Sequence, residues 1–161
     1  MREVVHLIDS GGLYGAERVL LHLMTEQQNM GRPVRLVSYG SAGGGEKSLE
    51  REAERLELPL EAWRGRSWQR LKAELNRLGE SRIYHSHGYK FNIQLALAGR
   101  ARKAHKCVST LHGFTDAPRL SKLRLYYALD RWSLKHLDGV SFVSEATVRE
   151  EGIQPGTGRT S

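Results

Sequence analysis

The chain has 161 residues, enough for one α/β domain with a substantial core and too few for two. Lys and Arg number 25 against 18 Asp and Glu, and the resulting charge of +7 favours anionic partners: nucleic acid, an acidic membrane surface or phosphorylated small molecules. A single cysteine, Cys107, excludes an internal disulfide framework and fits a reducing compartment, and no stretch approaches the roughly 18 apolar residues of a membrane span. Residues 1–3 lead into a strand rather than a signal peptide, so the expected location is cytoplasmic, with peripheral contact at the inner membrane face left open.

Taken in order, Val4-Val5-His6-Leu7-Ile8 reads as a buried strand. A loop carrying Gly11, Gly12 and Gly15 follows, then a helix whose apolar residues Val19, Leu20 and Leu23 recur at helical spacing. Glycines at such a turn let the main chain approach a ligand, and the free N–H groups of a helix start favour a phosphate or carboxylate. Gly31 and Pro33 precede a second strand over 34–39 that ends at Gly40. The Gly-rich run 41–45 is expected to be a mobile loop; Glu46 stands where a phosphate-binding loop needs its lysine, which excludes that motif. A charged helix over 47–57 leads to a short strand over 58–62, with Pro59 near its start, where an edge position tolerates it.

Trp68, Leu71, Leu75 and Leu78 predict an amphipathic helix over 67–78. The segment 63–72 interleaves Trp63 and Trp68 with Arg64, Arg66, Arg70 and Lys72, a pattern that suits loose contact with an anionic membrane. A fourth strand over 82–88, a helix over 91–103 and a fifth strand over 106–114 follow, and both strands end in His-Gly. A long helix over 120–137 leads to a sixth strand over 140–145. Residues 1–153 are expected to form the domain, and 154–161 a disordered tail or the start of an interdomain linker.

Strand and helix alternate throughout, which predicts an α/β fold with a doubly wound, mostly parallel, Rossmann-like sheet. Ligands in such sheets bind outside the carboxyl ends of the strands. The glycine loop, His87-Gly88, His112-Gly113 and Ser144-Glu145 each follow a strand and are therefore expected on one rim. A dinucleotide site fits poorly, because the loop reads Gly-Gly-x-x-Gly and the second strand ends without an acidic residue for a ribose. His85 and His87 point to the same side of their strand, but no Cys or carboxylate pair beside them in sequence completes a metal shell. Gly-x-Ser-x-Gly is absent, which argues against a serine hydrolase, and no base-stacking aromatic set supports nucleic acid beyond the net charge.

Several of these segments resemble those of the GT-B glycosyltransferases of family 4. Gly15-Ala16-Glu17-Arg18-Val19-Leu20-Leu21 is similar to their Gly-Gly-x-Glu loop and helix, and Tyr84-His85-Ser86-His87-Gly88 to their His-x-His strand end. Thr110-Leu111-His112-Gly113-Phe114 resembles their Thr-x-His-Gly strand, and 138–145 their Asp-x-hydrophobic-Val-Ser-Glu strand. The resemblance implies the acceptor-side half of a retaining glycosyltransferase, which moves a sugar from a nucleotide sugar to a glycan or lipid-linked acceptor of the cell envelope, with no metal or other cofactor. It implies a catalytic role for His112 near the transferred sugar, a substrate or donor-phosphate loop at Gly12, Gly15 and Glu17, and cleft contacts from His87, Gly88, Gly113, Ser144 and Glu145. Complete members carry a second, donor-binding domain with a Glu-x₇-Glu pattern; it is missing here, so the fragment alone is expected to be inactive. The competing class is a stand-alone Rossmann-like module that binds an anion or nucleic acid without catalysis.

Overall fold

The computed structural model describes residues 1–10, 12–77, 81–112 and 122–143. Strands β1 (Val4–Ile8), β2 (Val34–Gly40), β3 (Leu60–Arg64), β4 (Ile83–His87), β5 (Lys106–Leu111) and β6 (Gly139–Phe142) alternate with helices α1 (Gly15–Asn29), α2 (Ser48–Arg55), α3 (Ser67–Leu75), α4 (Tyr89–Leu97) and α5 (Lys122–Leu134). Every pairing is parallel, in the order β3-β2-β1-β4-β5-β6. The chain thus winds outward from β1 to β3 and then outward again from β4 to β6. Crossovers on the two sides of the β1/β4 boundary diverge there, and a crevice opens at the carboxyl ends of those strands. The expected doubly wound α/β fold is the fold observed.

Strand alternation sorts the core into two layers. Val4, Ile8, Val34 and Leu36 face Leu20, Leu21 and Met24 of α1 and Leu49 and Ala53 of α2. Val5, Leu7, Val37, Trp63, Tyr84 and Cys107 face Leu71 and Leu75 of α3 and Phe91 and Leu95 of α4. β1 is buried at every position, as a central parallel strand covered on both sides must be.

Several boundaries and faces differ from expectation. α1 turns Leu20, Leu21 and Met24 inward and leaves Val19 half exposed, because packing against β1 and β2 rather than the 19/20/23 spacing sets its rotation. β3 starts at Leu60, two residues later than the pattern suggested, and lies at the sheet edge with Pro59 just ahead of it. α4 begins at Tyr89 because Gly88, at φ +131°, makes the turn out of β4. It stops at Leu97, ahead of Gly99 at φ +53° and a 3₁₀ turn over Gly99–Arg102. The 41–45 loop is tied down, since the Arg64 guanidinium donates to the Gly44 and Gly45 carbonyls and to Glu50.

Trp63 is 2 % exposed, its ring centroid 6.4 Å from that of Phe91, and Arg64 is committed to Glu50, so the indole-and-arginine membrane motif loses two of its members to the core and the loop. Trp68, expected on the inward face, is instead exposed beneath Lys72. No described helix is long and apolar enough to cross a membrane.

Candidate active site at the carboxyl rim of the sheet

β1 delivers Asp9 and Ser10 to the crevice, and the loop then enters α1 through Tyr14, whose backbone is extended at the helix N-cap. Glu17, in the first turn, is 5 % exposed; its carboxylate accepts the Tyr14 N–H at 2.9 Å and the Ser10 hydroxyl. A helix start leaves N–H groups without partners, and a first-turn carboxylate satisfies one while favouring the positive end of the dipole. Glu17 thereby fixes the loop's shape. The Tyr14 ring fills the space that a Cβ at Gly12 would need, whereas Gly15 borders open space. Gly12 and Gly15 shape the loop beside the cavity, and Ala16 and Glu17 line it.

His87 and His112 line the crevice, and two further imidazoles, His6 and His85, pack against His87. His6 and His85 are register partners across β1 and β4, and His87 lies opposite Ile8 two residues on, so all three rings stand on the α1 face. Thr110 and His112 follow on the same face of β5. His6 Nδ1 lies 3.1 Å from His87 Nε2, His87 Nδ1 lies 3.3 Å from His112 Nε2, and His85 Nε2 lies 2.7 Å from the Thr110 hydroxyl. At the α1 end, His6 Nε2 is 2.8 Å from Gln27 Oε1.

Burial, which penalises the imidazolium, holds these rings neutral. It lowers the pKa of His6 from 6.5 to about 4, against the hydrogen bond to Gln27. It lowers that of His85 to about 3, aided by repulsion from His6 and His112, and that of His87 well below the ordinary value. His112, half-buried, is also shifted down by burial, with the Glu17 carboxylate opposing the shift.

A cavity of about 440 Å³ fills the crevice, bounded by Asp9, Ser10, Glu17, His87, Thr110 and His112. Asp130 of α5 also reaches it, fixed by the Asn92 amide at 2.8 Å. Among the described residues, the charged side chains that line it are carboxylates, of which Asp9 is ion-paired to Lys90 at 2.6 Å. His87, Thr110 and His112 also border a second, apolar space of about 300 Å³ between α1 and β6.

The fold thus brings Gly12, Gly15, Glu17, His87, Gly88 and His112 to one rim, as the strand-end argument expected; Gly113, Ser144 and Glu145 lie outside the described residues. Sequence reasoning missed His6, Thr110, Gln27 and Asp130. A histidine inside the otherwise apolar run of β1 was the available signal for His6. It adds a third imidazole to the His85/His87 pair, which an argument that looked only for Cys or paired carboxylates did not count. The three rings each offer a nitrogen within 4.8 Å of the others, a set that could hold a divalent cation, although no Cys or carboxylate among the described residues belongs to the group.

Comparison with known proteins agrees with this geometry. The fold is similar to that in the crystal structure of a glycosyltransferase from Rickettsia africae ESF-5, with a TM-score of 0.52 and 17 % identity over 78 % of this chain and 33 % of that one. The chain thus spans about a third of the length of that protein. No curated protein matches the chain in sequence. Residues 14–150 match the model of Glycosyltransferase Family 4, from the N-cap of α1 past the last described strand, and the chain therefore belongs to glycosyltransferase family 4.

Proposed function

We propose that this domain is the acceptor-side half of a retaining glycosyltransferase, which transfers a sugar from a nucleotide sugar to a hydroxyl of a glycan or lipid-linked acceptor. The observation that carries the proposal is the switch-point cavity, lined by the carboxylates of Asp9, Glu17 and Asp130 and by the imidazoles of His87 and His112, which burial keeps neutral. Carboxylates and neutral imidazoles suit a polyhydroxyl ligand, whose O–H groups donate to them, better than a phosphate, which they repel or fail to neutralise. This lining supports a sugar as the occupant of the cavity. The donor's pyrophosphate then falls to the α1 loop edge, where Gly15 leaves the main chain open, and to a second, nucleotide-binding domain across the cleft.

In the transfer step the bond from the anomeric carbon to the diphosphate oxygen breaks, with its electron pair leaving on the nucleoside diphosphate, and the acceptor oxygen bonds that carbon and passes its proton to the departing phosphate oxygen. His112 is the catalytic residue of the proposal, in contact with the sugar as charge develops. Glu17 holds the loop, and His87 and Gly88 shape the wall and floor. Gly113, Ser144 and Glu145 complete the cleft contacts, and stabilisation comes from oriented protein groups without a metal. The site of action is the cytoplasm or the inner membrane face.

Half of a cleft neither excludes water nor orients two substrates, so the 161-residue chain alone transfers no sugar and binds nucleotide sugars weakly. Calorimetry with UDP- and GDP-sugars checks this, and sub-micromolar binding would contradict it. The same preparation distinguishes the nucleic-acid alternative: a DNA complex that persists at about 200 mM salt would favour it.

A further inference from the structure

Three imidazoles connect helix α1 to the cavity in an unbroken line: Gln27 Oε1 to His6 Nε2 at 2.8 Å, His6 Nδ1 to His87 Nε2 at 3.1 Å, and His87 Nδ1 to His112 Nε2 at 3.3 Å. A neutral imidazole has one N–H and one lone pair, so a ring that donates through one nitrogen accepts through the other. The direction of every bond in the line is therefore decided at one end. Gln27 presents its carbonyl oxygen, which only accepts. His6 must then donate from Nε2 and accept at Nδ1, His87 must do the same, and His112 must donate from Nε2 to His87. His112 Nδ1 is left without a proton, and no partner for it stands among the described residues.

We propose that Gln27, through His6 and His87, sets the tautomer of His112, so that the ring offers Nδ1 to the cavity as a hydrogen-bond acceptor for a sugar hydroxyl. His6, His87 and Gln27 are positioning residues, and none of them needs to touch substrate. The device requires rings that stay neutral, and their burial supplies that condition. Among the described residues, the charged groups that line the two spaces bordered by His112 are Glu17, Asp9, Asp130 and Glu26, none of which can donate a proton to Nδ1 while ionised, and the Lys90 ammonium is engaged with Asp9 at 2.6 Å. His85 stands beside the line rather than in it, occupied with Thr110. The consequence for transfer rests on the proposed contact between His112 and the sugar; the tautomer itself does not. A ring that only accepts at this point selects a ligand with a hydroxyl there over one with a carboxylate or phosphate oxygen.

Gln27 is partly exposed on α1 and can be replaced without opening the core. Histidine side-chain ¹H–¹⁵N correlation spectra of the 161-residue chain near neutral pH read the tautomers directly. The wild-type chain is expected to show Nε2–H and bare Nδ1 on His6, His87 and His112. Gln27→Glu, which still only accepts, preserves this pattern. Gln27→Lys, which only donates, reverses all three rings and moves the His112 proton to Nδ1. Gln27→Ala removes the anchor and averages the His112 signals, and it carries the test should the lysine variant not fold. An Nδ1–H form of His112 in the wild type, or a His112 tautomer unchanged in Gln27→Ala, would overturn the proposal. So would stoichiometric uptake of added zinc by His6, His85 and His87, which would make the cluster a metal site instead. In an enzyme joined to its donor domain, Gln27→Lys is expected to lower kcat by at least about tenfold with little change in donor KM, as a wrong tautomer does elsewhere. Reversed tautomers with unchanged kcat would leave the relay standing and remove the role proposed for His112.

Discussion

The two ends of the sheet solve the burial of polar groups in opposite ways. At the amino end, on the α3 face, Arg35 is 15 % exposed and cannot shed its charge; it is surrounded by Glu3 at 3.2 Å, Glu74 at 2.5 Å and Glu61. Burial opposes the Arg35 charge, but the hydrogen bonds and attraction of Glu74 and Glu3 outweigh it and raise its pKa, while Glu74 is held below the ordinary carboxylate value by Arg35 despite its own burial. At the carboxyl end, on the α1 face, the titratable groups that β1 and β4 bury are histidines, which escape the cost by losing the proton. A permanent charge demands partners and makes a rigid base. A titratable ring becomes a neutral hydrogen-bonding element, and such elements can be strung together beside a ligand cavity.

Breaking the amino end should have the largest effect on stability. Arg35→Ala leaves Glu74, 4 % exposed, without its main partner, and is expected to cost about 3–5 kcal/mol in denaturant unfolding at neutral pH. The histidine tautomers at the other end should be untouched. A loss under about 1 kcal/mol would mean that the network is a solvated surface cluster.

Acid should act on the carboxyl end first. The unfolded chain binds protons at its histidines near pH 6.5, whereas folded His6 does so near 4 and folded His85 near 3. Between those values the unfolded state holds more protons, so stability is complete above about pH 6.5 and falls as pH drops toward 4 and then 3. His6 alone accounts for a loss on the order of 3 kcal/mol, and the coupled rings together for less than the sum of their separate shifts. Thermal melts across pH 4–7 check the sign; a flat melting temperature down to pH 5 would contradict neutral burial of the rings.

Glu17→Ala removes the acceptor for the Tyr14 N–H and the Ser10 hydroxyl and is expected to cost about 1 kcal/mol by loss of the helix cap. Amide exchange should quicken in residues 12–18 and stay slow in β1 and β4. Uniform quickening would show that Glu17 supports the whole fold rather than the loop.

The alternation of strands and helices was legible because parallel sheets leave a strong apolar period, and the strand-end rule brought His87 and His112 together from segments 25 residues apart. His6 was not legible as a partner, since its contact with His87 spans 81 residues and depends on the register of β1 against β4, which no local pattern encodes. Gln27 was hidden for a related reason: the rotation of α1 is set by Leu20, Leu21 and Met24 against the sheet, and the sequence pattern placed that face one position off. Trp63 read as an interfacial indole because β3 is an edge strand whose two faces differ little in composition, yet its ring packs inward on Phe91.

His112→Ala is expected to cost only about 1 kcal/mol of stability, because the ring is half-buried at the rim although His87 Nδ1 loses its donor. It is also the most direct test of the central claim, that the neutral histidine wall serves sugar transfer rather than packing. The deciding measurement is kcat per folded molecule of His112→Ala in an enzyme joined to its donor domain. The account predicts loss of transfer with only a small drop in melting temperature; full activity per folded molecule, whatever the melting temperature, would contradict it.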